Sequence, residues 1–261
     1  HLSVHSFPTR RSSDLSVCTL IVAWRVFDDA PICVAANRDE SVDRPSSPPR
    51  VLTGDPAVLA PLDERAGGTW IGYNESGLLA AITNRWVRGD GERSRGLLVD
   101  DCLSERSVAD AAALVDSELD RRSYAPFHLL LADGETCRIL LHDGDGGLCA
   151  RRLSPGVHVA VNVGVDGEWF VPEDRPEIGR QQARNAERVR ATLRPDDGET
   201  AVEWTTRAGS VLGDHDYGVC IHGDGFGTRS SSLLRLGAER VFEFADGPPC
   251  ETPFRRIDES V

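Results

Sequence analysis

The chain has 261 residues, of which 40% are hydrophobic and 27% charged, the balance of a folded globular protein of one large domain. A formal net charge of −13 argues against a nucleic-acid partner, which needs a concentrated basic face. No apolar run approaches the ~18–20 residues of a membrane-spanning helix. All 29 basic residues are arginine, and 42 Asp and Glu accompany them with no methionine. That composition points to a GC-rich genome and to a carboxylate surface suited to a salt-rich cytoplasm, which favours a haloarchaeal source over a high-GC bacterium.

Residues 1–17 lack the patterning of the rest of the chain, and no apolar h-region marks a secretory signal. The run HSFPTRRSSDL resembles a translated sequencing adapter, and Val17 fits a GTG start codon read as an internal valine. The expectation is a non-native extension over 1–17, a single domain over 18–261, and Cys18 at the natural amino terminus. Two short apolar runs come next, Cys18 to Phe27 and Pro31 to Ala36, split by Asp28-Asp29. They read as an antiparallel hairpin, which sets Cys18 beside the polar run Asn37-Arg38-Asp39-Glu40 at one end of a sheet.

The proline-rich stretch 41–56 reads as a loop. Thr69 to Tyr73 and Leu78 to Thr83 are strands joined by the turn Asn74-Glu75-Ser76-Gly77. Leu97 to Leu103 reads as a helix, and Ser107 caps another over Val108 to Leu119, with Asp110 at the capping-box position. Phe127 to Ala132, Cys137 to His142 and Leu148 to Leu153 form a meander, and Val157 to Val163 is a further strand. Glu177 to Leu193 is helical, with a stripe of Ile178, Ala186, Val189 and Leu193, and Ala201 to Arg207 is a short helix. Strands at Tyr217 to His222, Thr228 to Leu236 and Arg240 to Phe244 finish the chain. Grouped strands with helices between them imply a layered α+β fold.

Seven widely spaced cysteines do not form a disulfide framework, and no His/Cys group has zinc spacing. Cys220 and His222 share one face of the expected strand, which a half-buried strand explains more simply than a metal. His128, His215 and His222 read as structural. Gly223, Gly225 and Gly227 precede a strand rather than a helix, so they form a turn and not a dinucleotide fingerprint.

The ordered motifs Cys18-Thr19, Asn37-Arg38-Asp39-Glu40, Arg44-Pro45, Ala66-Gly67-Gly68-Thr69-Trp70, Leu79 to Asn84, Ser94-Arg95-Gly96, and Tyr217 with the later run Gly227-Thr228-Arg229-Ser230-Ser231 run through the chain. On these motifs the chain resembles the NRDE family, also called the transport-and-Golgi-organisation-two family. The resemblance implies a four-layer αββα sandwich of antiparallel sheets like the N-terminal-nucleophile (Ntn) hydrolases, similar to penicillin V acylase and bile-salt hydrolase. Carried over, Cys18 is the nucleophile and its freed α-amino group the base. Arg38 and Asp39 orient that amine and hold the thiolate. Asn84 faces the oxyanion, Asn162 matches a second asparagine of those acylases, and Arg229 adds positive charge near the thiol. The Asn-Arg-Asp-Glu order departs from the Arg-Asn-x-Asp order of the acylases at Asp39.

Two functions stay open on the sequence. One is a cysteine amidohydrolase acting on a linear amide, with no cofactor and no metal. The other is a binding protein for a hydrophobic ligand, haem or an acyl-CoA, in which Arg38, Arg85 and Arg229 pair with propionate or phosphate groups.

Overall fold

The computed structural model describes residues 18–144 and 147–261, so the expected extension over 1–17 lies outside the described residues. The chain opens with β1 (Thr19–Trp24), β2 (Ile32–Ser41), β3 (Ser46–Leu52), β4 (Val58–Asp63), β5 (Ile71–Asn74) and β6 (Leu79–Asn84). Helices α1 (Arg95–Leu103) and α2 (Val108–Leu119) precede β7 (Phe127–Ala132), β8 (Cys137–His142), β9 (Leu148–Arg152) and β10 (Gly156–Val161). The short β11 (Gly164–Val165) and β12 (Glu168–Trp169) lead into α3 (Pro176–Thr192) and α4 (Ala201–Gly213). The remaining strands are β13 (His222–Gly223), β14 (Phe226–Leu236), β15 (Arg240–Ala245) and β16 (Arg255–Arg256).

Two antiparallel sheets result. One runs β12-β11-β10-β1-β2-β14-β15-β16, with β13 paired to β14; the other runs β3-β4-β5-β6-β7-β8-β9. Period-two alternation divides the side chains of each strand between two cores. Leu20, Val22, Ile32 and Val34 of β1 and β2 meet Leu79, Ala81, Leu130 and Ile139 between the sheets. Ile21, Ala23, Cys33 and Ala35 face Ala186, Val189, Trp204 and Ala208 of α3 and α4. On the outer face of the second sheet, Ala80, Leu129 and Leu131 pack on Leu98, Val99, Ala111 and Val115 of α1 and α2. The order is helix, sheet, sheet, helix, which is the expected αββα sandwich.

The opening hairpin, the Asn74 turn and the Ser107 cap form as expected. Gly77 takes a φ of 85°, Leu78 N donates to Asn74 Oδ1 at 3.1 Å, and Asp110 N donates to Ser107 Oγ at 3.1 Å. Several expectations need correction. The stretch 41–56 contains β3, an edge strand whose register shifts between Ser47 and Arg50, where Pro48 and Pro49 lie. Proline removes a ladder donor, which an edge or a bulge tolerates and a central strand does not. Ala201–Gly213 runs six residues beyond the short helix expected, and Ile178 is 55% exposed, outside the buried face of α3. The expected strand from Tyr217 to His222 is instead a 3₁₀ turn over His215–Tyr217, ended by Gly218 at a φ of 65°, and pairing resumes only at His222.

Candidate active site at the end of the central strands

Strand register brings the first site residues together. Thr19 pairs with Asn37 of β2 and with Val161 of β10. One residue earlier, Cys18 therefore lies between Arg38 and Asn162. Cys18 N donates to Asn162 Oδ1 at 3.0 Å, and Cys18 Sγ sits 3.9 Å from the Asp39 carbonyl oxygen. Asn162 is fully buried. Its Oδ1 also accepts from Gln182 Nε2 of α3 at 2.8 Å, and its Nδ2 donates to Asn84 O at 2.8 Å. Its main-chain oxygen accepts from Trp86 N at 3.1 Å. One asparagine thus fixes the backbone of Cys18, the end of β6 and α3 in a single network.

Alternation along β2 splits the Asn-Arg-Asp-Glu run. Asn37 and Asp39 continue the helix-facing series of Cys33 and Ala35. Asn37 Nδ2 donates to Val219 O at 2.8 Å and Leu212 O at 3.1 Å, while its Oδ1 accepts from Ser231 Oγ. Asp39 Oδ1 accepts from Thr228 Oγ1, its partner across β14. Full burial pushes the Asp39 carboxyl well above its ordinary range, against the Thr228 hydrogen bond and the Arg38 charge.

Arg38 and Glu40 face the other sheet. Arg38 Nη2 donates to Asp63 Oδ2 at 3.3 Å, and its guanidinium carbon lies 4.1 Å from the centre of the Trp70 ring. Arg38 Nη1 is buried with no hydrogen-bond partner among the described residues. Burial lowers the Arg38 pKa, while Glu40, Asp63 and Cys18 oppose that shift by favouring its charged form. Asp63 is a hub: Arg44 Nε donates to its Oδ2 at 2.7 Å, and the main-chain N–H groups of Arg65 and Ala66 donate to its Oδ1.

These groups line a cleft of about 450 Å³ that also takes in Cys18, Thr69, Asn84 and residues 91–96. Its wall depends on a close approach of two loops. Thr69 N donates to Gly96 O at 3.0 Å, and a Cβ on Gly68 would stand 2.2 Å from that oxygen. Gly68 also holds a φ of 73°, so both space and backbone require glycine there. The cleft is therefore bordered by the Cys18 residue, the Arg38 guanidinium and Asn84. A thiol, a cation and an amide-bearing residue on one cleft are the residue types that acyl-transfer chemistry uses.

The family model described as "Transport and Golgi organisation 2" matches residues 17–246. The chain belongs to this family. It is 27% identical over 256 residues to a Transport and Golgi organization protein 2 homolog of Bos taurus, covering 84% of this chain and 90% of that protein. The Homo sapiens homolog is 29% identical over 163 residues, 55% of this chain and 57% of that protein. Among solved structures, the fold is similar to a Caenorhabditis elegans ortholog of N-acylethanolamine-hydrolyzing acid amidase, with TM-score 0.58, 14% identity, and coverage of 84% of this chain and 92% of that one. It is also similar to penicillin V acylase from Agrobacterium tumefaciens, with TM-score 0.53, 17% identity, and coverage of 88% and 83%. A variant of conjugated bile acid hydrolase from Clostridium perfringens gives TM-score 0.51 at 15% identity, over 92% of each chain. At these identities the likeness is one of fold, and the fold is that of the Ntn hydrolases.

Within this family fold, the expected site residues separate. Cys18, Arg38, Asp39 and Asn84 border the cleft, and Asn162 stands behind Cys18. Arg229 does not border it; it occupies the bulge where the β14 register shifts between Thr228 and Ser230, opposite Asp39 and Arg38. Arg85 borders a second cavity, with Asp143, Arg151 and Phe170. There its Nη1 lies 3.0 Å from Nε2 of His128, whose pKa falls to about 3 through burial and the charges of Arg85 and Arg151. Residue type alone does not reveal the parts played by Arg44, Asp63, Trp70 and Gln182. Arg44 and Trp70 lie inside family motifs, but Asp63 and Gln182 carry no local signal.

His215 and His222, read from the sequence as structural, are not isolated in the fold. With the Tyr217–His222 strand replaced by a turn, His215, Cys220, His222 and Cys250 gather in one place. Sequence spacing hid this group because Cys250 lies on the far side of β14 and β15.

Proposed function

We propose that the chain is a cysteine amidohydrolase of the Ntn type, acting on a linear amide, with Cys18 as nucleophile once it is the first residue. The observation that carries this reading is the position of Cys18: its main-chain nitrogen is bound to Asn162 Oδ1 at 3.0 Å while the residue borders the Arg38 cleft. As a free α-amine with a pKa near ~8, that nitrogen accepts the thiol proton at neutral pH. The sulfur then bonds to the amide carbonyl carbon, and the C=O electrons move to oxygen. The Asn84 side-chain amide is the group available to that oxyanion, and the Arg38 guanidinium adds positive charge beside the cleft. As the intermediate collapses, the C–N bond breaks, the ammonium returns its proton to the leaving nitrogen, and a thioester remains. Water, deprotonated by the same amine, hydrolyses the thioester and restores the thiol. An amide substrate agrees with the acylase, amidase and bile acid hydrolase named among the similar folds.

The carrier reading, for haem or an acyl-CoA, requires Arg38, Arg85 and Arg229 together. Arg38 and Arg85 border different cavities, so that shared anion site has no support. The test is a thiol-reactive acyl-amide probe applied to protein processed to begin at Cys18. Peptide mass spectrometry should place the label on Cys18, with none on Cys18→Ala. An unlabelled Cys18 in the processed protein removes the enzyme reading, and a Soret shift on adding haem would restore the carrier.

A further inference from the structure

Behind the helix-facing side of β2, three separate segments converge. His215 comes from the 3₁₀ turn after α4, Cys220 and His222 from the approach to β14, and Cys250 from the loop between β15 and β16. One ligand atom from each lies within 4.8 Å of the other three. Cys220 Sγ is 3.5 Å from Cys250 Sγ and 3.7 Å from His222 Nε2, and Cys250 Sγ is 3.1 Å from that nitrogen. The His215 and His222 rings stack with centroids 5.1 Å apart. In a tetrahedral zinc site, bonds of ~2.3 Å to sulfur and ~2.0 Å to nitrogen give edges of roughly 3.8 Å between sulfurs and roughly 3.5 Å between sulfur and nitrogen. The three separations among Cys220, His222 and Cys250 fall within about 0.5 Å of those edges, and the His215 ligand atom stands within the wider 4.8 Å span of the group.

We propose that His215, Cys220, His222 and Cys250 form a Cys₂His₂ site for a zinc-class divalent cation, which clips the 215–222 segment to the loop at 250. Two thiolates and two imidazoles are a soft donor set, suited to zinc and unsuited to magnesium or calcium. Four protein ligands fill the tetrahedron and leave no position for a substrate, so the role is structural. Binding releases the two thiol protons to solvent as the sulfur–metal bonds form. The clipped segment supports the family tetrapeptide. Val219 O accepts from Asn37, and Ile221 N donates to Thr228 Oγ1, whose hydroxyl donates to Asp39. A cation here would hold the backbone on which the buried half of that tetrapeptide rests.

The test uses the full chain, purified under reducing conditions from zinc-supplemented culture, with metal content read by plasma mass spectrometry. The expected result is about one zinc per chain, and replacement by cobalt(II) should give the intense visible bands of a tetrahedral thiolate site. Cys250→Ser and His222→Ala, both at exposed positions, should lose the metal and the cobalt bands while circular dichroism reports a folded chain. Chelator should lower the melting temperature of the parent and leave that of Cys250→Ser unchanged. A parent chain that retains no zinc and gives no cobalt bands overturns the proposal. So does a non-reduced chain whose mass shows a Cys220–Cys250 disulfide that persists in mild reductant.

Discussion

The two faces of β2 make the most instructive contrast in the molecule. Asn37 and Asp39 point into the helix layer and are bonded to Leu212, Val219, Ser231 and Thr228. Arg38 and Glu40, one residue out of phase, point to the other sheet and meet Asp63, Trp70 and Arg44. The side-chain bonds of a single polar run are therefore divided between the helix layer and the facing sheet, although Asp39 also borders the cleft. Charge and residue type do not distinguish the halves; the two-residue period of the strand does.

The largest expected effect tests the cleft side. Cys18→Ala should abolish covalent labelling and lower amide hydrolysis by at least about 10³-fold, with unfolding free energy within about 1 kcal/mol of the parent. Steady-state kinetics and urea denaturation measure the two halves of that statement. Asn162→Ala should slow labelling of Cys18 by about 10²-fold, because the nucleophile's own nitrogen loses its anchor. Labelling at the parent rate would show that Asn162 does not position Cys18.

On the scaffold side, Asn37→Ala should cost about 3 kcal/mol in urea denaturation, since it strands two buried carbonyls and the Ser231 hydroxyl. A loss below about 0.5 kcal/mol would erase the contrast between the faces. Asp39→Asn sharpens the same contrast through pH. Because burial raises the folded-state pKa of Asp39, the native state holds its proton where the unfolded chain has released it. Stability from this group is thus full below the ordinary Asp pKa of about 3.9 and declines as pH rises through the raised value. Asp39→Asn should flatten that decline in denaturation curves recorded across pH. The smallest effect belongs to Glu40→Gln. Its pair with Arg44, at 3.6 Å on partly exposed side chains, should be worth less than about 1 kcal/mol.

The sequence by itself determined the hairpin, the layered α+β class, most helix boundaries and the family, because those depend on local periodicity, capping and ordered motifs. It also placed Cys18 beside Arg38 and Asp39, since a short hairpin leaves its strands no other register. Only the tertiary structure decided which face each residue of the tetrapeptide serves, since an alternating polar run has no apolar residue to mark its inner side. It decided, too, that Asp63 holds Arg38 and that Asn162 holds Cys18, through contacts spanning 25 and 144 residues. The same holds for the Cys220–His222 segment, where a turn ended by Gly218 replaced the expected strand and brought the group to Cys250. Pairings over such distances depend on how the sheets and helices stack, which no local window of sequence records.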